Sequence, residues 1–169
     1  MVERGVQVLC EPGVHLERLE AIAELFADAL RPGDTVLLYG PLGAGKTTLV
    51  RAVARCLAVT DSVRSPSFTI ANIYSGTVLV QHLDLYRLDE ICDEDALALE
   101  DYAREDAVTF VEWPEAGLGR LPAPAWAVTL QHESLETRVI AVEALSSGAT
   151  ERWQQATEGC SHDKSAESR

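Results

Sequence analysis

The segment TVLLYGPLGAGKTTLV occupies residues 35–50 and decides how the rest of the chain is interpreted. Its first five residues form a continuous apolar run without alternation. That pattern predicts a strand buried on both faces, as in a parallel sheet covered by helices. A glycine-rich stretch follows at once, and apolar residues then recur at helical spacing as far as Leu57. The order is therefore strand, loop and helix, which is the context that a phosphate-binding loop requires.

Residues 40–47 match the pattern G-x-x-x-x-G-K-[ST]. Glycines let the backbone approach phosphates closely, and its N–H groups then form an anion site at the positive end of the following helix. The lysine can reach the β- and γ-phosphates, and the hydroxyl after it can bind the Mg²⁺ that bridges them. The residues predicted to contact the nucleotide are Gly40, Leu42, Gly43, Ala44, Gly45, Lys46, Thr47 and Thr48, and Thr47 is also a predicted metal ligand.

Two carboxylates follow hydrophobic strands downstream of this loop. Asp84 ends the run TVLVQHLD, and Glu112 ends the run AVTFVE. In α/β sheets, ligands bind beside the carboxyl ends of the strands, and nucleotide hydrolysis needs carboxylates near Mg²⁺ and the attacking water. We therefore predict that Asp84 and Glu112 are catalytic and metal-binding residues alongside Lys46. The pattern leaves open which carboxylate binds the metal and which orients the water.

Other polar residues near Asp84 have simpler interpretations. His82 and Tyr86 would share the face of Asp84 in a strand. We interpret His82 as an ordinary hydrogen-bonded histidine rather than a metal ligand. Arg87 can neutralise transition-state charge, although an ion pair with a nearby acid is the simpler interpretation. The hydroxyls of SPSFT, residues 65–69, are of the kind that can sense a γ-phosphate. A turn that leads into a strand explains them more simply.

The remaining periodicity predicts an α/β fold like that of P-loop NTPases, with a central mostly parallel sheet, antiparallel additions and helices on both faces. Residues 1–145 are predicted to form a single domain. Residues 146–169 are polar and small, and we predict that this tail is largely disordered. The predicted strands cover residues 6–10, 35–39, 67–74, 77–83, 107–113, 125–130 and 138–144, and the predicted helices other than the one after the loop cover 15–30 and 93–104.

The charge balance limits the possible partners. The chain has 14 basic and 27 acidic residues, for a net charge of −13. A fold-wide basic surface for RNA or DNA is therefore absent, and attraction to an anionic membrane surface is disfavoured. The four cysteines lack zinc-site spacing. The chain also shows no signal-peptide pattern and no apolar run of membrane-spanning length. We expect a cytoplasmic protein.

Several motifs occur together in a specific order. RPGD at 31–34 precedes LLYGPLGAGKTTLVR at 37–51, and SPSFT, HLDLYRL at 82–88 and VEWPE at 111–115 follow. In this combination the chain resembles the bacterial TsaE family, also called YjeE-type ATPases, from about Val14 to Glu143. The phosphate loop is shared by many families, whereas HLDLYRL and VEWPE in this order are far more specific.

The resemblance implies a P-loop ATPase that binds ATP with Mg²⁺ and supports threonylcarbamoyladenosine modification of tRNA, at the adenosine next to the anticodon. Members of the family bind the complex of TsaD and TsaB, and their ATP hydrolysis is needed for continued turnover of that complex. By motif, Asp84 and Glu112 match the functional carboxylates of the family, Trp113 belongs to the second motif, and Ser65–Thr69 match a switch-like segment. The tRNA is then reached only through the complex, which agrees with the acidic charge of this chain.

Two other functions remain open on the residues alone. A small-molecule P-loop kinase needs an arginine-bearing lid, but the arginines after Arg64 in the predicted domain are widely separated. A nucleotide-dependent assembly switch would bind ATP without cleaving it. A GTPase is disfavoured because neither N-K-x-D nor D-x-x-G occurs. The preference for adenine follows from the resemblance alone.

Overall fold

The computed structural model describes residues 5–66, 69–86, 99, 104–117 and 119–163, with side chains described as far as Cys160. It contains a seven-stranded sheet and three α-helices within those residues. None of these helices has the length and apolar character that crossing a lipid bilayer needs. The strands are β1 (Val6–Val14), β2 (Thr35–Tyr39), β3 (Ala71–Tyr74), β4 (Leu79–Asp84), β5 (Ala107–Glu112), β6 (Trp126–His132) and β7 (Arg138–Ala144), and the helices are α1 (Leu16–Ala29), α2 (Lys46–Cys56) and α3 (Ser147–Asp163).

The strand order is β1-β7-β6-β2-β5-β4-β3. Strand β2 pairs in parallel with β5 and β6, and β4 pairs in parallel with β5. The edges are antiparallel, because β3 pairs with β4 and the chain β6-β7-β1 alternates in direction. The predicted α/β fold, with a mostly parallel centre and antiparallel additions, is therefore confirmed.

Side chains of β2 alternate between two hydrophobic layers. Val36 and Leu38 face the larger core, which also contains the apolar faces of α1, α2 and α3. Leu37 faces a smaller cluster on the other side of the sheet, with Leu83 and Leu99. In the described part of the chain, the three α-helices cover one face. The 3₁₀ turn Pro114–Gly117 contributes Ala116 to the other face. The predicted helix at 93–104 lies outside the described residues except for Leu99 and Arg104.

Three strand boundaries differ from the prediction for local backbone reasons. Strand β1 extends to Val14, past Gly13 with φ of +67°, through two irregularities in its pairing. Strand β3 begins only at Ala71, because Ile70 has φ of +66° and its N–H donates to Pro66 in a turn. Strand β5 ends at Glu112, because Trp113 adopts φ of +54°.

The prediction of disorder after residue 146 is wrong for residues 147–163, which form α3. Ala149, Trp153 and Ala156 recur at helical spacing and pack into the main core. The Trp153 ring is 6.1 Å from the Phe26 ring and 6.2 Å from the Trp126 ring, measured between centroids. A short apolar stripe with one large aromatic residue therefore orders a segment whose overall composition is polar.

A buried carboxylate also fixes α3 to the sheet. Asp34 is 7% exposed and accepts a hydrogen bond from Trp126 Nε1 at 3.1 Å. Arg152 Nη2 donates to both Asp34 oxygens, at 2.9 and 3.0 Å, and the backbone N–H of Arg31 donates at 3.0 Å. Because Asp34 directly precedes β2, this cluster joins the helix to the strand that leads into the glycine-rich loop.

We expect Trp153→Ala to lower the free energy of unfolding by about 3–5 kcal/mol, because it removes a buried aromatic side chain and leaves a cavity. Urea unfolding followed by circular dichroism measures this without relying on tryptophan emission. The matched control is Gln155→Ala, an exposed position of the same helix, which should change stability by less than about 0.5 kcal/mol. Equal midpoints for the two variants would contradict the packing of α3.

Candidate functional site

The glycine-rich loop connects the end of β2 at Tyr39 to the start of α2 at Lys46. Gly40, Gly43 and Gly45 have φ of +140°, +75° and +105°, a region that side-chain-bearing residues rarely adopt. A Cβ on Gly40 would also overlap the carbonyl oxygen of Leu130 in β6. The glycines are therefore required both for the curl of the loop and for its close approach to the neighbouring strand.

Lys46 is buried, with 4% of its surface exposed, and points back over the loop. Its Nζ donates to the carbonyl oxygens of Gly40 at 2.7 Å and Pro41 at 3.1 Å. The same Nζ lies 4.1 Å from the centroid of the Trp113 ring, in cation–π contact. Burial lowers the pKa of Lys46, and the nearby carboxylates Glu112 and Asp84 act in the opposite direction.

Glu112 stands at the centre of a short polar chain. Its Oε1 accepts a hydrogen bond from the Thr47 hydroxyl at 2.6 Å and lies 2.9 Å from His82 Nε2. Because a carboxylate oxygen only accepts, Nε2 of His82 carries the proton in this contact. His82 is fully buried, and its Nδ1 has no hydrogen-bond partner among the described residues. The interpretation of His82 as a hydrogen-bonded histidine is confirmed.

The ionised form of Glu112 is favoured although the residue is only 4% exposed. Burial by itself would raise the pKa of Glu112. The hydrogen bonds from His82 and Thr47, with the positive charge of Lys46, outweigh burial and lower the pKa below its usual value. The carboxylate is therefore held negative beside the hydroxyl that follows the loop lysine.

Asp84 lies on the strand next to Glu112, at the same level. The two residues are direct neighbours in the parallel pairing of β4 with β5. Asp84 Oδ2 accepts a hydrogen bond from the Ser65 hydroxyl at 2.6 Å, and Oδ1 accepts one from the Tyr86 N–H at 3.1 Å. The structure therefore brings Lys46, Thr47 and both predicted carboxylates to one edge of the sheet.

These residues fit a nucleotide-bound Mg²⁺ better than a metal held by protein alone. Within the described ranges, no group of three His, Cys, Asp or Glu side chains could hold a metal ion. Mg²⁺ usually takes one or two carboxylates together with substrate phosphates and waters. Thr47, Glu112 and Asp84 supply hard oxygen atoms of this kind beside a loop shaped for phosphate.

The other predicted residues are placed as follows. The Leu42 side chain is 79% exposed, so only the backbone of this residue can take part in phosphate binding by the loop. Thr48 lies in the first turn of α2. The Tyr86 ring is 4.9 Å from the Trp113 ring, next to Lys46. Arg87 and the segment Ser67–Phe68 lie outside the described residues.

Sequence reasoning missed two residues that contact the loop from the β6–β7 hairpin. His132 Nε2 lies 3.2 Å from the carbonyl oxygen of Leu42, and Arg138 Nε donates to the carbonyl oxygen of Ala44 at 3.2 Å. These residues are 90 and 94 positions from their partners. No local pattern marks them, because only the pairing of β6 beside β2 brings the hairpin to the loop.

Comparisons with known proteins give one consistent result. The family model described as "Threonylcarbamoyl adenosine biosynthesis protein TsaE" matches residues 14–140. The tRNA threonylcarbamoyladenosine biosynthesis protein TsaE of Bacillus subtilis is 35% identical over 133 residues, which is 78% of this chain and 83% of that protein. The protein of the same name from Streptomyces coelicolor is 34% identical over 142 residues, which is 82% of this chain and 95% of that protein.

The fold comparison agrees with the sequence matches. The crystal structure of YdiB from Bacillus subtilis superposes with a TM-score of 0.71 at 30% sequence identity, covering 95% of this chain and 98% of that chain. The glycine-rich loop, the two strand-end carboxylates and the mostly parallel sheet thus occur in a chain that matches the family model over most of its length. This chain belongs to the TsaE family of threonylcarbamoyl adenosine biosynthesis proteins.

Proposed function

We propose that this protein binds ATP with Mg²⁺ and hydrolyses it, and that hydrolysis sustains turnover of a TsaD–TsaB complex that modifies tRNA. The observation that carries the proposal is the hydrogen bond between Thr47 and a buried, ionised Glu112 directly behind the phosphate loop. A loop that served only as a glycine-rich turn has no need for a buried carboxylate at this position.

Lys46 supplies the mobile positive charge of the proposed site. In this structure its ammonium contacts two loop carbonyls and the Trp113 ring. Phosphate oxygens are stronger acceptors than these carbonyls, because they carry full charge. We therefore expect the ammonium to leave Gly40 and Pro41 for the β- and γ-phosphates when the nucleotide enters.

The two carboxylates take different roles in this proposal. Glu112 contacts Thr47, the predicted metal ligand, so we place Glu112 on the metal side of the site. Asp84 lies one strand further from β2 and contacts Ser65, so we assign it to the attacking water. Bound Mg²⁺ would neutralise charge on the β- and γ-phosphates.

His82 holds the metal-side carboxylate in place. Its buried ring donates to the same Glu112 oxygen that accepts from Thr47. The second carboxylate oxygen is then left for a metal or a metal-bound water. The role resembles that of outer-shell partners, which fix the orientation of a ligating group.

The acidic surface supports a protein complex as the partner. With a net charge of −13, this chain has no fold-wide positive charge of the kind that attracts tRNA phosphates. We therefore place tRNA on the TsaD–TsaB complex and ATP hydrolysis on this chain.

The first test is ATP hydrolysis by the pure protein, with and without purified TsaD and TsaB, using Lys46→Ala as the blank. We expect the partners to stimulate hydrolysis. Asp84→Asn should lower the stimulated rate by about 10²–10⁴-fold while ATP still binds, because it removes the proposed water-orienting base. Unchanged hydrolysis with the partners, together with no detectable complex, would contradict the proposed coupling. Full tRNA modification by a non-hydrolysing Asp84→Asn protein would favour an assembly switch.

A second test separates the two carboxylates by their metal dependence. Glu112→Gln should raise the Mg²⁺ concentration for half-maximal hydrolysis by about 10–100-fold, as expected for loss of a ligand or its immediate support. Asp84→Asn should leave the Mg²⁺ dependence of nucleotide binding close to wild type. The reverse result would exchange the roles assigned to the two residues.

Acid unfolding tests whether Glu112 is ionised in the folded protein. The pKa of Glu112 in the folded protein is lowered below its ordinary value of 4.5, so its stabilising contribution is present above that value. The contribution is lost as the pH falls through the folded pKa. Wild type should therefore exceed Glu112→Gln in stability at pH 7, and the difference should shrink as the pH falls below 4.5 towards the lowered folded pKa. Parallel stability curves between pH 7 and pH 3 would contradict an ionised Glu112.

A further inference from the structure

The β6–β7 hairpin contacts the phosphate loop through one arginine. Arg138 Nε donates to the carbonyl oxygen of Ala44 at 3.2 Å, and Nη2 lies 3.5 Å from the carbonyl oxygen of Gly43. On the other side, Nη1 donates to the carbonyl oxygens of Ser134 at 3.1 Å and Thr137 at 2.8 Å. The guanidinium thus joins the turn of the hairpin to the loop.

The environment of Arg138 is unusual for this acidic chain. The sequence has 27 acidic residues, yet none of the ion pairs among the described residues includes Arg138. All its hydrogen bonds in the described part of the chain go to backbone carbonyls. The fixed fork of donors in arginine suits this task, because several carbonyls can be bound at once. No carboxylate in the described ranges therefore lies within ion-pair distance of this positive charge beside the loop.

The contact with Ala44 determines the direction of one loop amide. In a trans peptide plane, the C=O group and the following N–H group point in opposite directions. Because the Ala44 carbonyl faces Arg138, the N–H of Gly45 points away from the hairpin. The N–H of Ala44 is already used within the loop, where it donates to Pro41 at 3.1 Å.

The contact between His132 and Leu42 acts in the same way on the peptide group two residues earlier in the loop. Nε2 of His132 lies 3.2 Å from the Leu42 carbonyl oxygen, so the N–H of Gly43 also points away from the hairpin. Gly43 and Gly45 have positive φ and, as glycines, many alternative conformations. Contacts that hold the peptide planes before Gly43 and Gly45 therefore exclude loop conformations in which the N–H groups of these two glycines point towards the hairpin.

We propose that Arg138 is a positioning residue for the phosphate loop: it holds the loop carbonyls outward so that the loop amides are preorganised for the phosphates of a nucleotide. The inference rests on the proposed function, because the nucleotide is the ligand that such amides serve. Donors that are already aimed at an anion need no reorganisation when it arrives. Without Arg138, binding must also order a glycine-rich loop, which weakens affinity.

The experiment compares Arg138→Met, which keeps an aliphatic stem without donors, with Arg138→Lys, which keeps the charge without the fork. The control is Arg55→Ala, which removes an exposed arginine near the far end of the helix that follows the loop. Two quantities are measured: ATP and ADP dissociation constants by calorimetry, and hydrogen–deuterium exchange of the amides of residues 40–46 without nucleotide. Steady-state kinetics adds KM and kcat for ATP.

We expect Arg138→Met to weaken nucleotide binding by about tenfold, the equivalent of one or two lost hydrogen bonds, and to raise exchange in the loop. KM should rise more than kcat falls, because the lost contacts act on binding. Arg138→Lys should recover part of the affinity, and Arg55→Ala should match wild type. A purely structural role would instead lower the melting temperature and leave the dissociation constants of the folded protein unchanged.

Wild-type affinity together with wild-type loop exchange in Arg138→Met would overturn the proposal. If Arg138→Met does not fold, Arg138→Gln also lacks the fork and carries the same expectations. If the wild-type protein itself binds no nucleotide, the proposed function fails. Loop exchange without nucleotide then still decides whether Arg138 orders the loop.

Discussion

The parallel pairing of β2 with β5, and of β5 with β4, determines where every group of the site lies. In this pairing Leu38 is level with Glu112, and Glu112 is level with Asp84. The end of β2 is also the start of the glycine-rich loop, so Glu112 reaches Thr47 in the first turn of α2 and Asp84 lies beside Glu112. A shift of one residue in the pairing would turn the side chain of Glu112 to the opposite face of the sheet. Both strands are buried between two hydrophobic layers, and the hydrogen bonds of Glu112 with Thr47 and His82 depend on this register.

The buried charge at the site is stabilised by neighbouring protein groups. Glu112 and His82 are buried together, and a buried charge is costly unless it is paired and hydrogen-bonded. Lys46 and Thr47, which are adjacent at the start of α2, and His82 in β4 provide these partners from two different parts of the sequence. The unusual backbone of Trp113, directly after Glu112, places its ring over Lys46. Such strained residues concentrate where function needs a particular geometry.

The sequence was most informative where one local pattern specifies one structure. The apolar run before the loop predicted β2, and the positions of Asp84 and Glu112 at the ends of two hydrophobic runs predicted the neighbouring carboxylates, because strand ends in a parallel sheet meet at one edge. The helix of residues 147–163 was missed because its order depends on Phe26 and Trp126, which are remote in sequence. Arg138 was missed for a related reason: its loop contacts exist only after β6 pairs with β2. No local sequence pattern marks the positive φ values of Ile70 and Trp113. These values shift the start of β3 and the end of β5 from their predicted positions.

The cluster around Asp34 has a consequence for how far the chain can be shortened. The family match ends at residue 140, but Arg152, beyond that point, supplies the cation for a carboxylate that is almost fully buried. A chain shortened to the matched region, residues 14–140, would lose β1 apart from Val14 and the last residues of β7. It would leave the negative charge of Asp34 without its cation at the entrance to the central strand. The contacts that hold Asp34 and the main core therefore extend beyond the residues that the family model matches.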